Sequence, residues 1–389
     1  MIKLIKSTFY HESTTKRKVA DFILRSKVLS MDFECSKFEQ NFAKKQKRKY
    51  SLFVSSGSMA NLVLLQSLLN LGRIKKGDNV GVSAITWATN VMPIIQLGLN
   101  PIVLDCELKN LNISSKILKQ TLNRFKLKVL FITNALGFCA DLDVIQKMCK
   151  KNKIILLEDN CESLGTKLKN KLLGNFGLAS TFSSFVGHHF STIEGGLICT
   201  DDKKLFEMMT MVREHGWDRK LPTDIQKKIR KQNKVNDFFA RYTFYDLAYN
   251  ARPTEIQGFI GNLQLQYWNE IVKRREKNFF KLLDVIKSNP DILALEVDHL
   301  SLVSNFAVPV ICKNKILFNK YLKKFQEANV EVRPIVAGDI TQQPFFKKYI
   351  KKRYACPQAS FINAHGFYFG NNPEMSRKDV NFLCKIIQK

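Results

Sequence analysis

Short unbroken apolar runs alternate along this chain with stretches whose apolar positions recur at helical spacing. Residues 33–45 carry the helical pattern and lead into a short apolar strand, YSLFV (50–54). SSGSMANLVLLQSLLNLG (55–72) follows, with small residues and one Gly ahead of a periodic apolar run that stops at Gly72. The pattern predicts strand, turn and helix, with a Gly/Ser turn at the helix N-terminus. From residue 79 the alternation repeats, with VGVSAI as strand, WATNVMPIIQLG as helix and PIVLDC as strand. KVLFITNALG (128–137), a helix over 142–151 and the strand KIILLEDN (153–160) continue it. The run Ile154–Leu157 is apolar without alternation, as in strands covered on both faces. Strand–helix alternation at this spacing predicts an α/β domain built on a mostly parallel sheet.

The stretch FSSFVGHHFSTIEGGLICT (182–200) breaks the alternation. It predicts a strand, a turn holding two adjacent histidines, and a second strand that returns after Glu-Gly-Gly. Gly195 and Gly196 are expected to supply the positive φ of that reversal. Residues 201–222 read as a capped helix running into a loop, and 223–240 as a polar, basic, mobile connection without periodicity. Residues 249–286 read as a Pro-started helix for most of their length, and 289–389 as short strands mixed with helices. The division predicted is a large α/β domain over 1–265 and a smaller α+β domain over 266–389.

Composition narrows the function classes. The chain has 389 residues, 45% of them hydrophobic, and no apolar run long enough to span a membrane. Its N-terminus, MIKLIKSTFYHEST, lacks the apolar core of a secretory signal, so a cytoplasmic location is expected. Nine scattered cysteines with no CxxC pair argue against a disulfide framework, a structural metal site or an iron–sulfur cluster. The formal charge of +28 is large, but the lysines are spread along the whole chain. The densest runs, at 44–49, 227–234 and 346–353, lack the interleaved aromatics of a single-strand binder. The charge reads as a Lys-rich surface that attracts small anionic substrates, with neither nucleic acid nor membrane as partner.

Candidate chemistry gathers at strand ends. The Gly/Ser turn at Gly57 and Ser58 opens a helix, where backbone N–H groups suit a phosphate. Asp159 and Glu162 follow a buried strand, at the edge where α/β sheets bind ligands. Taken singly, Ser58 reads equally as a helix cap, the two acids as loop caps and the histidine pair as a surface turn. Together, the stretches VSSGSMANL, ILLEDNCESLG, FSSFVGHHFSTIEGG, REHGWDR, YNARP and VEVRPIV resemble the sugar-aminotransferase family of fold-type I PLP enzymes. The resemblance covers essentially the whole chain.

That resemblance implies an aspartate-aminotransferase-like large domain, a homodimer, and roles for single residues. Where the family carries its cofactor-linking lysine, six residues before Glu194, this chain has His188, and no lysine lies between Lys171 and Lys203. Imidazole cannot form that link. The substitution marks the branch that removes the C-3 hydroxyl of a nucleotide-linked 4-keto-6-deoxy sugar, a GDP-linked one preferred. His188 is then the base, its ordinary pKa lying near the working pH. PLP or PMP is held without a covalent bond, glutamate restores the amine and ammonia is released. A related branch uses an iron–sulfur cluster, whose clustered cysteines are missing here. By the same resemblance Asp159 pairs with the pyridine nitrogen and Trp87 stacks on the ring. Gly57, Ser58 and Ser183 hold the phosphate, Asn250 reaches in from a second subunit, and Glu162 sits near the cofactor's hydroxyl. His215, Arg219, Glu331 and Arg333 contact substrate, and His189 supports the loop. Two alternatives remain: a nucleotide-sugar 4-aminotransferase, and a non-catalytic basic nucleic-acid-binding protein on the same fold.

Overall fold

The computed structural model describes residues 1–388. Its larger sheet has seven strands: β1 (Tyr50–Val54), β2 (Asn79–Ser83), β3 (Asn100–Leu104), β4 (Val129–Thr133), β5 (Ile155–Asp159), β6 (Ala179–Ser183) and β7 (Gly196–Thr200). They lie in the order β1-β7-β6-β5-β4-β2-β3. The five strands β3, β2, β4, β5 and β6 pair in parallel. β7 runs against both its neighbours, β6 and β1. The reason is local: β6 and β7 are joined by the loop 184–195 with no crossover helix, and a direct return is antiparallel. β4 is buried at every position, as its unbroken apolar run requires.

The smaller sheet has three strands, β8 (Ala307–Ile311), β9 (Val332–Pro334) and β10 (Gly366–Gly370), with β10 in the middle and antiparallel to both. The helix Trp268–Ser288 leads into this region. One hydrophobic core runs from Phe131 in the large sheet to Val310 and Phe369 in the small one. A second, aromatic cluster contains Phe38, Phe42, Phe53, Phe182, Phe190 and Trp268. Phe190 belongs to the loop 184–195, so this cluster anchors the histidine turn from below.

Local expectations are corrected in four places. The helix expected over 249–286 is two, Glu255–Leu265 and Trp268–Ser288; Thr254 and Gln257 form a capping box, and Pro253 precedes the cap. Residues 223–232 are helical rather than irregular. None of them is buried, which is why no apolar period marks the helix; Arg230 ties it down by donating from Nε to the buried Asp218 at 2.7 Å. The helix expected over 87–98 is reduced to Ala88–Asn90 and Met92–Gln96. At the histidine turn the positive φ belongs to Ile193, at 73°, and to neither Gly195 nor Gly196. Those glycines are needed for space: a Cβ at Gly196 would collide with the Ser56 carbonyl oxygen, and one at Gly195 would lie against Ser184 and Thr192. No helix among the described residues is long and apolar enough to cross a membrane.

Candidate active site

A cavity of about 410 Å³ opens at the carboxyl edge of the large sheet, where β4, β5 and β6 end in Thr133, Asp159 and Ser183. Its floor is polar. The Asp159 side chain is buried, and its Oδ2 accepts from Asn61 Nδ2 at 3.1 Å and Asn90 Nδ2 at 2.7 Å. Its Oδ1 accepts from the Cys161 amide at 2.9 Å. The carboxylate is thus held by three neutral donors and faces the cavity as an acceptor.

At one side, the helix Gly57–Asn70 starts in the cavity wall. Ser56, not Ser58, is the N-cap, accepting from the Met59 amide at 3.1 Å. Ser58 is left free to line the cavity, with its hydroxyl 3.4 Å from that of Thr89. A Cβ at Gly57 would stand 2.8 Å from the Ser183 Cβ, so only glycine lets the helix N-terminus and β6 approach this closely. The result is a cradle of amides and hydroxyls suited to an anion.

His188 forms another part of the wall. Its ring packs on Phe306 at 5.7 Å and Phe185 at 6.1 Å between centroids. Its Nδ1 is buried without a hydrogen-bond partner. Burial pushes the imidazole down to about 4, opposed by the Asp159 carboxylate and reinforced by the Arg275 guanidinium. The ring is therefore a neutral acceptor at neutral pH, rather than a group balanced near its ordinary value. Glu162 moves the other way: burial raises it to about 8, against the Leu136 amide, which donates to its Oε2 at 2.6 Å. A carboxyl that stays protonated at neutral pH can donate as well as accept. His189 is buried and donates from Nε2 to the Ser304 carbonyl at 2.8 Å, bracing the loop.

Of the residues singled out from sequence, Gly57, Ser58, Trp87, Asp159, Glu162, Ser183, His188 and Arg333 line this one cavity. Trp87 is 55% exposed, a large aromatic face left open at the rim. Glu331 stands behind Arg333, 2.5 Å from its guanidinium, and also accepts from the Leu4 amide at 2.9 Å. Asn250, His215 and Arg219 do not line the cavity of their own chain. Asn250 is exposed beside the Gly/Ser turn, next to Ala251, whose carbonyl takes the Ser55 amide. Arg219 lies 3.8 Å above the Trp217 ring, and His215 packs on that same ring.

Sequence reasoning missed Asn61 and Asn90, which hold Asp159, and the lining residues Leu4, Ile5, Phe306 and Tyr368. Asn61 carries a readable signal, since it falls one helical turn after Gly57 on the same face. The others have none, being brought in from distant parts of the chain.

A pyridoxal-type cofactor fits this donor set. An anion cradle lies at Gly57, Ser58 and Ser183, an acceptor carboxylate on the floor, and an aromatic face at the rim. The buried Oδ1 atoms of Asn61 and Asn90 and Nδ1 of His188 also lack protein partners.

Comparison with known proteins agrees. Residues 11–388 match the DegT/DnrJ/EryC1/StrS aminotransferase family. The chain is 34% identical over 371 residues to GDP-4-keto-6-deoxy-D-mannose 3-dehydratase of Yersinia pseudotuberculosis, covering 94% of each protein. Its fold is similar to a crystal structure of GDP-4-keto-6-deoxymannose-3-dehydratase with a trapped PLP–glutamate geminal diamine (TM-score 0.91, 32% identity, 100% of both chains covered). A His-to-Asn mutant of that enzyme with bound GDP-perosamine matches with the same score, identity and coverage. The chain belongs to the DegT/DnrJ/EryC1/StrS aminotransferase family.

Proposed function

We propose that this protein is a PLP-dependent 3-dehydratase acting on a nucleotide-linked 4-keto-6-deoxy sugar, with GDP-4-keto-6-deoxymannose the preferred substrate. The observation that carries the reading is the identity of the cavity wall: His188 lines it, and no lysine does among the described residues. A nucleotide-sugar aminotransferase would need that lysine.

When bound, the cofactor would supply an amine for the sugar ketone and a conjugated ring that withdraws electrons. The protein's own residues do the rest. The helix N-terminus at Gly57, with the hydroxyls of Ser58 and Ser183, holds the phosphate without a covalent bond. Asp159, held by two asparagines that donate to it, would accept from the ring nitrogen and keep the ring electron-withdrawing. Trp87 would cover one face of the ring, and protonated Glu162 would serve its hydroxyl. His188, neutral at working pH, removes a proton and returns it to the departing C-3 hydroxyl. Arg333 receives a negative group of the substrate or of glutamate, with Glu331 aligning it.

The protein would be a cytoplasmic homodimer that takes glutamate as amino donor, uses no iron–sulfur cluster, and serves dideoxysugar synthesis of the colitose type. Asn250, His215 and Arg219 would complete the partner's site. We place the domain division at 265/266, where the two long helices break.

The test is incubation with PLP, glutamate and GDP-4-keto-6-deoxymannose, followed by an ammonia assay and mass spectrometry of the sugar nucleotide. Ammonia with loss of one oxygen is expected. A stable 4-amino sugar without net ammonia would make the protein an aminotransferase.

A further inference from the structure

The base proposed above has no side-chain hydrogen bond to orient it. Catalytic histidines are commonly aimed by a partner on the second ring nitrogen. In His188 that nitrogen, Nδ1, is buried and unpartnered. Its direction must therefore come from its backbone and from the rings packed on it.

Both trace to Arg275. This arginine lies in the helix Trp268–Ser288 and is only 4% exposed. Burial alone accounts for its lowered pKa, about 9, with no carboxylate contributing. An unpaired guanidinium in such a place is costly unless its protons are satisfied. Here the acceptors are backbone carbonyls reached from the two Nη atoms, while Nε is buried without one. Nη2 donates to His188 at 3.1 Å; Nη1 donates to Phe306 at 3.1 Å and Asn371 at 2.6 Å, with Asn305 at 3.5 Å. Phe306 is the ring against which the His188 imidazole packs. Asn371 closes the arrangement, donating from Nδ2 to the carbonyl of Arg275 at 2.9 Å and to Oδ1 of Asn305 at 2.9 Å. His189, bound to the Ser304 carbonyl, fixes the next residue of the turn to the same segment.

We infer that Arg275 is the positioning residue for the base: its planar fork fastens the His188 backbone and the Phe306 segment to one point, and so sets where the imidazole aims. Lysine cannot replace it, because an ammonium lacks the fixed spread of donors that reaches carbonyls on three segments. The inference rests on His188 being the base, and its test separates the two ideas.

Arg275→Met and Arg275→Lys are compared with wild type in steady-state kinetics, and by NMR titration of histidine-labelled, cofactor-free protein. The His188 resonance is assigned by its loss in His188→Asn. The titratable and charged groups sharing its cavity are Asp159, Cys161, Glu162, Glu194, Arg333 and Tyr368, and His189 and Arg275 act on it from the loop and the helix behind. Arg275→Met is expected to lose roughly 10²-fold in kcat with KM within about threefold, as for a reacting group misplaced by about 1 Å. Its imidazole midpoint moves up as the cation goes. Arg275→Lys keeps the charge, and with it a midpoint near wild type, yet loses most of kcat. A folded Arg275→Met with wild-type kcat, or full activity in Arg275→Lys, overturns the inference. So does a KM that rises in step with the loss of rate. Should Arg275→Met fail to fold, the lysine variant decides. Should wild type itself not turn over, the dehydratase reading fails, and an unmoved midpoint in Arg275→Met still overturns the role of Arg275.

Discussion

The floor of the cavity and the outer arm over 215–250 use their side chains in opposite ways. On the floor, Asp159, Asn61 and Asn90 are buried, sit on or beside regular elements, and are joined by the two asparagines donating to the carboxylate. On the arm, Tyr242, Phe244 and Leu247 are each more than half exposed, and Arg219 covers Trp217 and Tyr242. The floor is complete in one chain. The arm has the composition of a binding surface and leaves its large apolar side chains exposed. A preorganised electrostatic site needs rigid, dry support, whereas a recognition arm needs reach.

The largest effect should come from the wall. His188→Asn is expected to lower kcat by at least ~10³-fold while cofactor absorbance in the protein persists; residual turnover near a tenth of wild type would remove the base assignment. On the floor itself, Asp159→Asn should cost about 10²-fold in kcat, because a preorganised charge disappears while the packing stays. If kcat is retained and only cofactor affinity falls, Asp159 is an anchor rather than an electrostatic partner.

Gly57→Ala sharpens the contrast at the cradle. Its Cβ would meet the Ser183 Cβ at 2.8 Å, an overpacking of about 1–3 kcal/mol, so cofactor affinity should weaken on the order of tenfold. Equilibrium titration of the cofactor reads this directly, and an unchanged affinity would mean that the cradle does not hold the phosphate.

The pH profile tests the wall without mutation. With the imidazole held at about 4 by burial, the active neutral form persists as pH falls, and kcat/KM should drop only as pH approaches that value. An acid limb centred near 6.5 would mean that the imidazole is solvated in the working enzyme. The same shift has a stability sign. Between about 4 and 6.5 the unfolded chain binds a proton at this residue that the folded chain refuses, so His188 lowers stability as pH falls through that window. Glu162 opposes it: with its folded pKa raised to about 8, its contribution is full below 4.5 and is lost as pH rises toward 8.

The smallest effect belongs to the arm. Asn250→Ala should cost about tenfold or less, as expected for one interaction made through an exposed side chain. For the proposed homodimer, mixing it with His188→Asn should restore about a quarter of the wild-type rate, since half of the dimers would be mixed and each would have one intact site. No recovery would place the arm's function within its own subunit and remove the difference between the two regions.

Several of these residues are legible in the sequence alone. Asp159 stands at the end of an unbroken apolar run, and Gly57 at the mouth of a periodic one; both positions follow from local pattern. Others read wrongly in isolation. Ser58 looks like a helix cap until Ser56 is seen to take that role. Arg213 and Glu39 carry no local sign of burial, and the fold buries both largely and sets them 2.5 Å apart, with Arg213 also donating to the Phe53 carbonyl at 2.9 Å. Leu4, Phe306 and Tyr368 reach the cavity from parts of the chain whose local pattern says nothing about a site.

By itself the sequence determined the alternation of strands and helices, the edge at which a ligand would sit, and a histidine in a stretch without lysine. Those properties are periodic or compositional, and a window of a few residues contains them. Tertiary structure alone decided which carbonyls hold Arg275, that His188 is desolvated enough to stay neutral, and that the glycines of the turn are needed for space rather than for backbone angle. Burial and close approach are sums over neighbours contributed by distant segments, and no local pattern carries that sum.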